Sequence, residues 1–217
     1  MTRLITPEEL REQLPFQNKV LQHYRDAKVD APPLACIRTF GCQQNVADSE
    51  HIKGMLVQMG FGFTEEPEEA DLILFNTCAV REHACDRVFG NVGALKHIKR
   101  RRPEVIIAVC GCMVQQPHVA AKMKESYPFV SLVFGTHVIY RFPELLWQTL
   151  NQRKQLSVTP QEDGVIAEGL PVHRDGSFKA WLPIMYGCNN FCTYCIVPYV
   201  RGRERSRDPE VVINEAK

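Results

Sequence analysis

The sequence has almost no net charge. Its 26 Lys and Arg stand against 25 Asp and Glu, a formal +1. No global field therefore draws it to nucleic acid or membrane, and any such attraction must come from local patches. It also lacks an apolar run of about 18 residues, the length of a membrane-spanning helix. The apolar core of a signal peptide is missing after Met1-Thr-Arg-Leu-Ile-Thr-Pro. A cytoplasmic protein is the expectation. Around Cys188, Cys192 and Cys195 there is neither a histidine nor a fourth cysteine, so a structural zinc site would be short of its tetrahedral ligand set. What is present is an ordinary globular composition, 45% hydrophobic and 24% charged, with nine cysteines. In a reducing compartment that many thiols point to metal or catalysis before disulfides.

Residues 1–33 read as a polar N-terminal extension. Its helix starts at Thr6-Pro7-Glu8-Glu9, where Thr6 caps and Glu9 completes a capping box. Residues 34–151 alternate strand patterns (34–40, 71–76, 105–109, 130–134) with helical ones (49–59, 79–101, 118–125, 139–151). This alternation predicts an α/β fold, a Rossmann-like parallel sheet flanked by helices. Residues 152–178 read as a linker with a small hairpin around 158–166. Residues 179–217 read as the start of another domain: a strand over 179–186, a cysteine loop, and a helix capped by Ser206 or Asp208 with Pro209 in its first turn.

Three of the predicted strands end alike, with Cys42, Cys78 and Cys112 just past the carboxyl end. Ligands of open α/β sheets bind at that edge. Three thiols meeting there would hold an iron–sulfur cluster with one iron lacking a protein ligand, since such clusters usually take four thiolates. The alternative is that each is a small buried hydrophobe. The second set, Cys188, Cys192 and Cys195, has the spacing C-x3-C-x2-C and again leaves one iron open to a substrate or cofactor. Cys36 and Cys85 read as core residues, and Cys110 is assigned no role. Asn45, Asp48, Asn76 and Glu82 stand near the first set as hydrogen-bond donors or helix caps. The basic run Lys96–Arg102 is either a solvated helix end or an RNA contact. The run Arg201–Arg207 lies beside the second set, where arginine forks suit phosphate or carboxylate.

Two groups of motifs carry a family resemblance. Thr39-Phe-Gly-Cys42-Gln-Gln-Asn-Val-Ala-Asp48-Ser-Glu50, Asn76-Thr-Cys78-Ala-Val-Arg-Glu82 and Gly111-Cys112-Met113 resemble the N-terminal domain of the methylthiotransferase family of radical-SAM iron–sulfur enzymes. Tyr186-Gly-Cys188-Asn-Asn-Phe-Cys192-Thr-Tyr-Cys195-Ile-Val-Pro, continuing through Arg207, resembles its radical-SAM segment. Gln43, the Ala-Val-Arg-Glu after Cys78 and the Asn-Asn-Phe-Cys loop resemble the tRNA-modifying branch.

The resemblance implies two 4Fe-4S clusters, one on Cys42, Cys78 and Cys112, the other on Cys188, Cys192 and Cys195. It implies S-adenosylmethionine (SAM) on the open iron of the second, with Arg201 and Arg203 as cofactor-binding residues. The implied reaction adds a methylthio group to carbon 2 of a prenylated adenosine next to the tRNA anticodon. Implied partners are the tRNA anticodon stem-loop and an electron donor such as flavodoxin or ferredoxin, with no membrane. The alternatives are the ribosomal-protein-modifying branch and an inactive iron–sulfur-binding fragment. Family members continue into the rest of a partial (βα) barrel and a small RNA-binding β domain. The chain is therefore expected to be a fragment ending in an incomplete barrel, with residues 179–217 poorly anchored.

Overall fold

Runs of Val, Ile and Leu with both neighbours apolar make strands that must be covered on both faces. The computed structural model describes residues 3–27, 31–80, 82–152, 154–160, 164–176 and 178–217, with the side chains of 82–86 outside the description. The chain begins with β1 (Arg3–Ile5), α1 (Pro7–Arg11) and α2 (Leu14–Ala27). Next come β2 (Leu34–Phe40), α3 (Gln43–Gln58), β3 (Gly62–Phe63) and β4 (Leu72–Thr77). Helices α4 (Glu82–Ala94) and α5 (Lys96–Arg101) lead to β5 (Ile106–Gly111). Then follow α6 (Pro117–Ser126), β6 (Leu132–Phe134), a 3₁₀ turn (Thr136–Arg141), α7 (Phe142–Leu150) and β7 (Leu156–Val158). The strands from β2 to β7 form one six-stranded sheet in the order β3-β2-β4-β5-β6-β7, parallel throughout.

Alternation along the strands assigns the two faces. Leu72, Leu74, Ile106, Ala108, Leu132 and Phe134 pack against α2, α3 and α7. Ile73, Phe75, Ile107, Val109 and Val133 pack against α4, α5 and α6. Each fully buried aliphatic side chain contributes about 1.5–3 kcal/mol relative to exposure. Two cysteines are simply part of this core: Cys36 and Cys110 are both 0% exposed. Cys85 and Glu82 lie in α4, and their side chains are outside the described residues.

The expected parallel sheet is present, with several differences in detail. The long helix expected over 79–101 is two helices that break at Leu95. The final helix begins at Phe142, behind a 3₁₀ turn. The linker hairpin does not form. Leu156–Val158 instead joins β6 as the sixth strand of the sheet, and β8 (Val165–Ala167) pairs in parallel with β1. Burial explains that choice: Ile5 and Ile166 are 5% and 0% exposed, whereas a local hairpin would leave them in water. Residues 161–163, inside the expected hairpin, lie outside the described residues. The N-terminal extension is likewise packed, with Val20 and Tyr24 of α2 in the core.

Residues 179–217 are better anchored than expected. Only β9 (Met185–Tyr186) is strand within 179–186, and it pairs antiparallel with β10 (Arg205–Ser206). Helices α8 (Val197–Arg201) and α9 (Pro209–Ala216) flank that pair, and no barrel sheet forms among the described residues. The anchors are polar and buried. Thr136 Oγ1 donates to the Val200 carbonyl at 2.9 Å, and Arg207 pairs with Glu168 and Glu215 at 2.6 Å each. Among the described residues no helix is long and apolar enough to cross a membrane.

The basic run Lys96–Arg102 divides in two. Lys99 Nζ donates to the carbonyls of Pro103 and Val105 at 2.7 and 2.6 Å, and Arg102 donates to the Glu68 carbonyl and pairs with Asp71. These two cations are structural and leave Lys96, Arg100 and Arg101 for solvent. The Asp71 side chain is only 6% exposed and also accepts the Leu34 N–H at 2.9 Å. Arg102→Ala removes a countercharge from a buried carboxylate. It is expected to lower stability by about 2 kcal/mol, read as a lower urea midpoint with an unchanged slope.

Candidate metal centre

β2, β4 and β5 are neighbours in the sheet, and their ends are level: Phe40 pairs with Thr77, and Thr77 with Gly111. The next residues along those strands include Cys42, Cys78 and Cys112. The chain leaves β2 for β3 on one side and continues to β4 on the other. The crevice between β2 and β4 is thus a topological switch point, where open α/β sheets bind ligands.

The three thiols share one electrostatic environment. Cys42 is the N-cap of α3, and its sulfur faces the backbone amides at the start of that helix and the Cys78 thiol. The Cys78 hydrogen bond, then those amides and the positive charge of Arg201, bring its pKa down to about 5. The same shared hydrogen bond, together with burial and the nearby Cys112, pushes Cys78 up. Burial also raises Cys112, against the pull of Arg201. Cys42 is exposed, while Cys78 and Cys112 are 5% and 4% exposed. The first set is thus open to solvent on the Cys42 side.

A buried amide pair locks the first two cysteine loops together. Asn76 Nδ2 donates to the Asn45 carbonyl at 2.8 Å and to Ser49 Oγ at 2.9 Å. Asn45 Nδ2 donates back to Asn76 Oδ1 at 2.9 Å, and Asn45 Oδ1 accepts from the Cys42 N–H and thiol. Both Asn side chains are 0% exposed. Their proximity to the cysteines is visible in sequence, but their pairing is not. The supporting Thr39–Ser49 hydroxyl contact at 2.8 Å has no sequence signal beyond two hydroxyl residues near a cysteine.

The second set lies on one loop after β9. The Cys188 N–H donates to the Gly202 carbonyl at 3.2 Å and the Cys195 N–H to the Cys192 carbonyl at 2.9 Å. Phe191, between the first two cysteines, has φ +46, a conformation that side chains rarely adopt. Cys188 and Cys195 are half-buried and Cys192 is exposed. Of the four arginines that follow, Arg201, Arg205 and Arg207 are buried and Arg203 is exposed. The Arg203 guanidinium lies 4.5 Å from the Phe191 ring centroid. The Arg201 side chain takes its partners from distant parts of the chain. It reaches into the first set, 2.6 Å from Asp48 and donating from Nε to Cys112 Sγ at 2.9 Å. A cavity of 520 Å³ separates the segment after Cys112 from the second loop, with Gln115, Gln116, His118, Phe191, Tyr199 and Arg203 in its wall.

Among the described residues, no three Cys, His, Asp or Glu side chains close around one point as the ligands of a single metal ion would. Ligands of an iron–sulfur cluster bind separate irons and need no such cage. At the sheet edge the donors are soft sulfurs, and among the described residues the carboxylate of Asp48 is already paired with Arg201. That donor set fits a thiolate-held cluster with one open iron and is poor for a hard cation.

Residues 35–135 match the family described as "Uncharacterized protein family UPF0004". The chain is 46% identical over 215 residues to the tRNA-2-methylthio-N(6)-dimethylallyladenosine synthase of Acetivibrio thermocellus, covering 98% of this chain and 45% of that protein. Identity to the protein of the same name from a Thermoanaerobacter species is 49% over 213 residues, covering 98% and 44%. For the one from Clostridioides difficile it is 54% over 184 residues, covering 85% and 38%. The chain therefore spans less than half the length of these curated relatives. With a UPF0004 match over its central sheet and identity of this level along nearly all its length, the chain is similar to the N-terminal part of these tRNA-2-methylthio-N(6)-dimethylallyladenosine synthases.

Proposed function

We propose that this chain is the cluster-binding N-terminal part of a tRNA methylthiotransferase. The observation that carries this reading is the meeting of Cys42, Cys78 and Cys112 at the ends of three adjacent parallel strands, beneath a C-x3-C-x2-C loop docked on the same sheet edge. In this reading residues 34–151 are the first cluster domain, and 179–217 begin the radical-SAM domain. Residues 1–33 are the N-terminal extension and 152–178 the linker between the two. Bound to the two cysteine sets, 4Fe-4S clusters with SAM would supply the electron, the radical and the sulfur for modifying a prenylated adenosine beside the anticodon.

The chain's own residues then have defined tasks. Cys42, Cys78 and Cys112 hold the first cluster, and the N-terminal amides of α3 stabilise the negative charge on Cys42. Cys188, Cys192 and Cys195 hold the second. Arg203, exposed and propped against Phe191, is the arginine placed to bind the carboxylate of SAM or a tRNA phosphate. Arg201 is committed to Asp48 and Cys112. The cavity between the segment after Cys112 and the second loop is where a base would enter. The electron donor is a flavodoxin- or ferredoxin-type protein, and the working compartment is the cytoplasm.

Iron, acid-labile sulfide and zinc measured on chain purified without oxygen test this reading. About eight irons per chain are expected, falling to about four when either three-cysteine set is replaced by alanine. Zinc without sulfide would overturn it.

A further inference from the structure

Arg201 follows the second cysteine loop in sequence but spends its charge in the first site. It is 8% exposed, and Asp48, its partner on α3, is 5% exposed. Nη2 lies 2.6 Å from Asp48 Oδ2 while Nε donates to Cys112 Sγ at 2.9 Å. A guanidinium is planar and always charged, so one fork holds both contacts at once. Gln44 Nε2 donates to the other Asp48 oxygen at 3.3 Å, which keeps the carboxylate in place. The backbone beneath is equally fixed. Thr136 Oγ1 holds the Val200 carbonyl at 2.9 Å, and Arg205 Nη1 holds the Arg201 carbonyl at 3.0 Å. Gly202, at φ +76, turns the chain so that its carbonyl accepts the Cys188 N–H at 3.2 Å. An unbroken path of bonded groups therefore runs from Cys112 Sγ through Arg201 and Gly202 to Cys188.

We propose that Arg201 is a positioning residue that joins the two cysteine sets, and that the Arg201–Asp48 pair sets the reduction potential at Cys42, Cys78 and Cys112. The inference rests on the cluster assignment proposed above. Hydrogen bonds to the sulfurs and net charge are main determinants of a cluster's potential. A buried cation bonded to a ligand sulfur favours the more negative, reduced form. Asp48 offsets that cation, so removing the two partners must act in opposite directions. A group that merely held the loop in place would not produce opposite signs.

The test uses the full chain with Cys188, Cys192 and Cys195 replaced by alanine, so that only the first cluster loads. It is reconstituted with iron and sulfide and titrated with dithionite, with the reduced cluster read by electron paramagnetic resonance. Arg201→Met is expected to shift the reduction equilibrium about tenfold toward the oxidised form, about 59 mV for one electron. Asp48→Asn keeps the outline of the side chain and removes its negative charge, and it should shift the equilibrium the other way. If both variants load the cluster and neither moves its potential, or both move it in the same direction, the inference is overturned while the cluster assignment stands. If Arg201→Met holds no iron, Asp48→Asn decides alone: an upward shift supports the role, and none or a downward one ends it. If the unsubstituted Arg201–Asp48 chain loads no iron–sulfur cluster, the assignment itself fails and the inference falls with it.

Discussion

Gly111→Ala is expected to cost the sheet domain a large share of its stability and, with it, iron retention by the first cysteine set. Gly111 has φ +99, and a Cβ there would overlap the Thr77 carbonyl oxygen while standing 2.5 Å from Asn76 Oδ1 and 2.7 Å from Thr77 N. The conformation alone costs an L-residue about 1–2 kcal/mol. The overlap is with β4, whose residues are all buried between β2 and β5. A flexible side-chain end could swing aside, but this strand cannot. Relief must come from moving β5 away from β4 or from turning Gly111 out of place, and either displaces Cys112. Together the two effects should reach about 4 kcal/mol, against the 5–15 kcal/mol that holds a typical domain folded. Urea unfolding of the metal-free variant measures the loss directly. A midpoint within about 1 kcal/mol of the parent would mean the loop accommodates the methyl group.

Asn76→Ala should come second, at about 3 kcal/mol. It strips partners from the Asn45 carbonyl, Ser49 Oγ and Asn45 Nδ2 inside a dry interior, where each unsatisfied group costs about 1–3 kcal/mol. The total is discounted because Ser49 keeps Thr39 and Asn45 Nδ2 keeps the Thr77 carbonyl at 3.3 Å. Asn76→Asp separates shape from hydrogen bonding. It preserves the outline but turns a donor of two bonds into an acceptor facing a carbonyl. Its carboxyl would be protonated more readily in the folded chain than in the unfolded one, where Asp titrates near ~3.9. A folded-state pKa above the unfolded one gives stability that is present at low pH and lost as pH rises through the folded value. Asn76→Asp should therefore be closer to the parent at low pH than at neutrality, whereas the deficit of Asn76→Ala should not change with pH. Parallel pH profiles for the two variants would sink the amide-pair account.

Much of the central sheet was legible in the residues. Leu72–Phe75 and Ile106–Val109 are apolar on both faces, which only a doubly covered parallel sheet accommodates. The cysteine after each of three strands predicted a shared edge without knowledge of strand order. The small elements were not legible. Leu156–Val158 and Val165–Ala167 are too short to carry a pattern, and their partners, β6 and β1, are chosen by distant burial. The pairing within the charge runs was not legible for a related reason. Lys99, Arg102, Arg201, Arg205 and Arg207 look like a surface in one dimension. Arg102, Arg201 and Arg207 take carbonyl or carboxylate partners from remote parts of the chain, and Lys99 and Arg205 turn back onto carbonyls a few residues away.

By itself, then, the sequence determined the α/β class, both sets of three cysteines and the resemblance they carry, because these depend on local periodicity and on the identity and spacing of ligating residues. The tertiary structure alone decided that β2, β4 and β5 are neighbours, that Asn45 and Asn76 interlock, and that Arg201 crosses from the second set to the first. Those facts depend on contacts between residues far apart in the chain, and buried polar groups have to find partners wherever the fold places them.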